Sequence, residues 1–322
     1  MRERNDRSAL ASHPGASGSA AQASRSATHV PTAAEASELL RDGIRAEEIG
    51  ALDRALASFS EAAHTADSAI AAEALTRLAD VRRSRADWDA ALEAAREAQR
   101  FARAAANEDL LAHALIAEGN VFMCRGDFTD GIAIFRRVLD SSADPKMRGL
   151  ALQNIGSSLA QQGQLGAAER AFSESYGSFQ RAGYRRGEAI ALNNLGRVAL
   201  DRGDVALAET VLDQAVSTAR DVEHGELIAL TTLNLAEAKA RRRELGKAHE
   251  LASVALGHFT AAKNEWRTIE CLRLIGSIDE QGGDLEAAAA CYERGLELAQ
   301  VIGAAVEARA LKDCLDQLRR AK

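Results

Sequence analysis

Residues 191–204 read ALNNLGRVALDRGD. Forty residues earlier stands ALQNIGSSLAQQGQ (151–164), and forty later TTLNLAEAKARRRE (231–244). All three carry asparagine in the same column, although asparagine is a mediocre helix former. Self-similarity at a fixed period is the mark of a repeat architecture. Followed outward, the pattern covers seven units opening at Glu38, Ala74, Ala114, Ala151, Ala191, Thr231 and Cys271, with a closing stretch Leu311–Lys322. The units are 36, 40, 37, 40, 40, 40 and 40 residues long.

A few columns define the unit. Column 6 holds Gly43, Ala79, Gly119, Gly156, Gly196, Ala236 and Gly276. Column 13 holds Gly50, Ala86, Gly126, Gly163, Gly203, Arg243 and Gly283. Column 15 is always apolar, column 18 small, and column 22 reads Phe59, Ala95, Phe135, Phe172, Leu212, Ala252, Tyr292. Columns 2, 5, 6 and 9 form one sticky stripe at helical spacing, which predicts a first helix, A. A column-13 glycine ends it, because the left-handed conformation costs glycine nothing. Column 14 is often aspartate (Asp87, Asp127, Asp204, Asp284), a good N-cap for a second helix, B. Glycine inside helix A costs about 1 kcal/mol against alanine. Its recurrence at column 6 implies that helix B lies too close for a side chain, with the column-18 alanine as the matching small residue.

Composition agrees with an all-helical reading. Alanine and leucine dominate, aromatics make up 4%, and there are three prolines. The net charge of −7, with both signs interspersed, excludes a general nucleic-acid binder. The four cysteines (Cys124, Cys271, Cys291, Cys314) form no CxxC pair and read as core residues in a reducing compartment. There is no apolar run long enough to span a membrane and no signal-peptide core, so no membrane partner and a cytoplasmic location are expected. Residues 1–34, rich in Ser, Ala and Gly, bury too little apolar surface to offset ordering entropy and are expected to form a disordered arm.

The unit resembles the tetratricopeptide repeat (TPR). Leu192, Leu195-Gly196, Gly203-Asp204, Ala208 and Leu212 follow that family's pattern, as do Leu152, Ile155-Gly156, Gly163, Ala168 and Phe172. The resemblance covers residues 38–322. The family's usual proline near each unit's end is missing, and the period is 40 rather than 34, which resembles the long-repeat TPRs of bacterial regulators and of polarity and kinesin-cargo adaptors. It implies a right-handed superhelical solenoid of seven helix-turn-helix units spanning residues 35–322, closed by a capping helix over 311–322.

The resemblance also places a candidate site. Helix A of a TPR lines the concave groove, and column 4 looks into it. That column reads Arg41, Arg77, Ala117, Asn154, Asn194, Asn234, Leu274, and column 7 adds Asn120 and Arg197. An asparagine amide offers both a donor and an acceptor, so a ladder of them is able to hold the backbone of an extended peptide, as the long-repeat adaptors do. The plainer reading is that they keep the groove wet or record a duplication. Arg41 and Arg77 predict acidic ligand residues at the N-terminal end of the groove. The chaperone-type carboxylate clamp of this family is not expected, because its cationic positions hold Ile116, Ile190 and Asn194.

No enzyme signature is present: there is no phosphate-binding glycine loop, HExxH or GxSxG, and the seven histidines share no ligand spacing. No cofactor or metal is expected. Arg241–Arg243 point to different sides of a helix and read as a solvated helix end. The expected function is a non-enzymatic scaffold that binds a protein or peptide in its groove. The alternatives are a ligand-sensing regulator acting through a separate effector, and a self-associating structural solenoid.

Overall fold

The computed structural model describes residues 29–321, and every regular element among them is an α-helix. In order these are α1 (Ala33–Glu48), α2 (Leu52–Ala62), α3 (Ser68–Ser84), α4 (Trp88–Ala104), α5 (Glu108–Arg125), α6 (Phe128–Ser141), α7 (Pro145–Gln161) and α8 (Leu165–Ala182). They continue as α9 (Arg185–Asp201), α10 (Val205–Asp221), α11 (Gly225–Arg241), α12 (Leu245–Ala261), α13 (Glu265–Gly282), α14 (Leu285–Val301) and α15 (Ala305–Ala321). Each helix packs on the next, and from α1 to α13 the odd-numbered helices also touch one another in succession, whereas even-numbered helices make no comparable mutual contact. Seven antiparallel pairs thus stack into a TPR solenoid with the odd helices, A, on the inner face and the even helices, B, outside.

The period follows from the helix lengths. From α9 to α12 each helix has 17 residues, and three-residue turns separate them. The starts of α9, α11, α13 and α15 therefore recur every 40 residues. The two short units have short outer helices, with 11 residues in α2 and 14 in α6.

Column 13 adopts the left-handed conformation in every unit. Gly203 has φ +80°, and the departures Ala86 and Arg243 have φ +58° and +66°. Of the four column-14 aspartates, Asp204 and Asp284 accept a hydrogen bond from a first-turn N–H, whereas Asp87 and Asp127 sit at the N-cap without one.

The column-6 glycines meet a different partner from the one expected. A Cβ built on Gly43 would lie 2.4 Å from the Phe59 ring, and one on Gly156 2.7 Å from Phe172. Gly119 faces Phe135, Gly196 faces Leu212 and Gly276 faces Tyr292 in the same way. The space is taken by the large column-22 side chain of the same pair, not by the column-18 alanine. The two units with alanine at column 6, Ala79 and Ala236, carry alanine at column 22 as well, Ala95 and Ala252, and all four are fully buried. The A–B interface thus closes either by glycine against a large side chain or by alanine against alanine.

Three boundaries differ from the sequence expectation. Each inner helix begins about six residues before column 1, where Asp67, Asn107, Asp144 and Asn264 cap α3, α5, α7 and α13. At the N-terminus α1 already opens at Ala33, with Thr32 and Glu35 forming a capping box, so the arm read over residues 1–34 ends sooner. The rest of that arm, residues 1–28, lies outside the described residues, as does Lys322. The closing helix α15 is a full inner helix rather than a stub from residue 311. Leu311, Leu315 and Leu318 are buried against the last pair. Its column-2 and column-6 positions, where an outer helix would pack, hold Lys312 and Asp316, so this face suits water.

Candidate functional site: the inner face of the solenoid

In each inner helix the residues at columns 0, 4, 7 and 11, three or four apart, share one face. At α3 and α5 this face holds a cavity of about 500 Å³ lined by Glu73, Arg77, Asp80, Asn107, Asp109 and His113. Burial, with Lys146 nearby, holds the His113 imidazole below its usual range, so it adds no cation here at neutral pH.

The predicted site residues fall into three groups. Arg41 is exposed on α1. Arg77 of α3 reaches back to Glu47 of α1 at 3.5 Å, so its charge is matched within the protein. This leaves the N-terminal end less cationic than column 4 alone implied. Asn120 and Asn154 are bonded to each other, with the Asn154 amide donating to the Asn120 carbonyl oxygen at 3.1 Å across α5 and α7. Both stay partly exposed, as does Asn194 on α9.

Asn234 differs. It is 3% exposed, and its amide donates to Asn193 at 2.7 Å. Its carbonyl oxygen also accepts from Arg197 at 3.4 Å. Arg197 is bound in turn to Glu237 at 2.7 Å, and Glu237 to Arg241 at 2.6 Å. Asn234 thus braces α9 against α11 with both ends of its amide engaged. Column identity hid this, because Asn193, one column earlier, supplies the acceptor, and a neighbouring asparagine in a single unit carries no repeat signal.

Arg241–Arg243 are exposed at the end of α11, as expected, but they also make specific contacts. Arg241 bonds Glu237 and the Leu200 carbonyl oxygen, Arg242 binds Glu209 of α10, and Arg243 is the left-handed turn residue. Arg242 belongs to a ladder at column 12. Arg85 reaches Asp53, Arg125 reaches Asp89, Gln162 reaches Thr129 and Arg202 reaches Glu169, each joining an inner helix to the outer helix of the preceding pair. The signal was available in the sequence as a polar column 12 opposite polar positions near the start of helix B.

Among the described residues, no group of three or more His, Cys, Asp or Glu is placed to hold a metal ion. No described helix is long and apolar enough to cross a membrane.

The architecture is that of a helical repeat protein. Tetratricopeptide-repeat family models match residues 147–221 and 270–301. Together with the stacked-pair fold, this makes the chain a tetratricopeptide-repeat protein. No curated protein sequence matches it. Among solved structures it is similar to the apo form of RapI, with TM-score 0.65 and 13% identity over 84% of this chain and 99% of that one. A Rap protein complexed with Competence and Sporulation Factor gives TM-score 0.64 and 13% identity over 89% of this chain and 85% of that one. BtubC from P. vanneervenii gives TM-score 0.55 and 19% identity over 71% and 91%. At these identities the likeness is one of fold.

Proposed function

We propose that the chain is a non-enzymatic interaction module whose inner face, centred on α7 and α9, holds an extended segment of a partner protein. The observation that carries this reading is the pair Asn154 and Asn194, at the same column of successive inner helices and both partly exposed, Asn154 with one amide hydrogen bonded to Asn120. An amide so placed is able to donate to a carbonyl and accept from an N–H of a passing backbone. Repetition at helix spacing lets a single strand use both. Asn234 supports the groove from beneath as a brace. The Rap structure solved as a complex with Competence and Sporulation Factor shows that a relative of this fold holds a partner.

The test compares pull-downs from cell extract using the intact chain and Asn154→Ala/Asn194→Ala, both checked for helicity. A partner retained by the intact chain and lost by the folded variant supports the groove reading. The same partners on both move the binding surface elsewhere. A mass that rises with concentration, unaffected by the two substitutions, would favour a self-associating solenoid instead.

A further inference from the structure

We infer that the segment held in this groove is acidic and studded with apolar residues, its carboxylates lying on Lys146 and Arg186 and its apolar side chains on Leu150 and Ile190. This rests on the groove reading above and adds the chemistry of the ligand.

Three rows run across α7 and α9. Steps of four residues put Lys146, Leu150 and Asn154 on one face of α7, and Arg186, Ile190 and Asn194 on the corresponding face of α9. Both cations are exposed, and both apolar residues are only partly covered. Lys146 lies over the Tyr184 ring, 5.0 Å from its centroid. Other inner-face arginines have a carboxylate of their own: Arg77 has Glu47, and Arg197 and Arg241 share Glu237. Among the described residues, neither Lys146 nor Arg186 has one. Two adjacent cations thus stand unmatched beside a half-open apolar row and an amide row.

The neighbouring helices limit this patch. The same column carries Asp109 on α5 and Glu226 on α11. The row therefore reads acid, base, base, acid along the groove. A ligand acidic over a long stretch meets repulsion at both ends, and a nucleic acid meets only two cations in a chain of net charge −7. A short acidic stretch flanked by neutral or basic residues fits. Packed helices lie about 8–10 Å apart, and a polyproline II segment advances about 3.1 Å per residue with about three residues per turn. Carboxylates about three residues apart in such a ligand therefore point to the same side and reach Lys146 and Arg186, with the residues between them available to Leu150 and Ile190.

The experiment is selection from a random nonapeptide display library on the full chain, followed by fluorescence polarisation with the selected peptides. Intact protein should enrich Asp or Glu at a spacing of three with adjoining Leu, Ile, Val or Phe. Lys146→Glu/Arg186→Glu should reverse the charge preference, and the milder Lys146→Gln/Arg186→Gln should weaken the acidic peptides roughly tenfold or more at low salt, with less difference at high salt. Both pairs are exposed, so helicity and Tm should match the intact chain. Neutral or basic peptides on the intact chain, or acidic ones indifferent to the charge variants, overturn the inference. If Asn154→Ala/Asn194→Ala still abolishes those peptides, the groove reading survives it. Enrichment indifferent to all three variants, or no enrichment at all, overturns both.

Discussion

At the scale of single residues, the turn after each inner helix sets a conformational demand that the chain meets unevenly. Gly203 meets it without strain, but Arg243 holds φ +66° with a side chain attached. A left-handed L-residue costs roughly 1–2 kcal/mol, part of which glycine gives back through greater unfolded-state entropy. Arg243→Gly should therefore stabilise the fold by about 0.5–1 kcal/mol in urea unfolding, and an unchanged or lower midpoint contradicts this. Asn234 makes the opposite point. Removing its amide leaves the buried Asn193 carbonyl unmatched, so Asn234→Ala should cost about 1–3 kcal/mol, whereas Asn194→Ala should leave thermal stability nearly unchanged. Cysteines divide in the same way: burial pushes the Cys271 thiol up to about 12, while Cys124 is exposed. A thiol reagent at pH 8 should modify Cys124 in the native protein and reach Cys271 only after unfolding.

At the scale of elements, the exchange between columns 6 and 22 explains why glycine is tolerated within helix A. Each pair closes either by glycine against a ring or branched chain, or by alanine against alanine. Gly156→Ala alone should overpack against Phe172 and cost about 1–3 kcal/mol. Phe172→Ala alone should open a cavity costing about 3–5 kcal/mol. The double variant, which copies the natural Ala79–Ala95 pair, should cost clearly less than the sum. Strict additivity in a double-mutant cycle would show that the two positions do not share space. The column pattern made the helices, their turns and their pairing legible, because glycine at columns 6 and 13 and a large apolar residue at column 22 recur in five of the seven units. The true start of each inner helix was not legible, because its caps vary among Thr, Asp, Asn, Tyr and His and sit about seven residues before the columns that recur. The groove was legible as a location, but which asparagines face it was not. Burial of Asn234 depends on one neighbour, Asn193, that the other units lack.

At the scale of the whole molecule, the curvature of the groove depends on how successive pairs are joined. The column-12 ladder ties inner helices to the preceding outer helices, and its best-connected rung is Glu209 with Arg242 and Lys239. Hydrogen bonding to Lys239 above all, then to Arg242, holds the Glu209 carboxyl below its ordinary value of 4.5. Since the folded value lies below the unfolded one, this rung's contribution is present above pH 4.5 and is lost as pH falls through the folded value. Glu209→Gln should lower Tm at pH 7 and flatten the further fall of Tm below pH 4.5, and parallel curves for variant and intact chain would contradict it. Individual exposed ion pairs contribute little, so the ladder counts as a set of ties between successive pairs rather than by any one rung.

The central claim is that this inner face, and not the outer one, holds the partner. The most direct measurement is site-specific photo-crosslinking in cells, with p-benzoylphenylalanine replacing Asn194 on α9 or, as the comparison, Glu174 on the outer helix α8. A partner held on the inner face gives a discrete crosslinked species from position 194, absent from position 174, and lost when Asn154→Ala is added. Crosslinking from position 174 with none from 194 would contradict it.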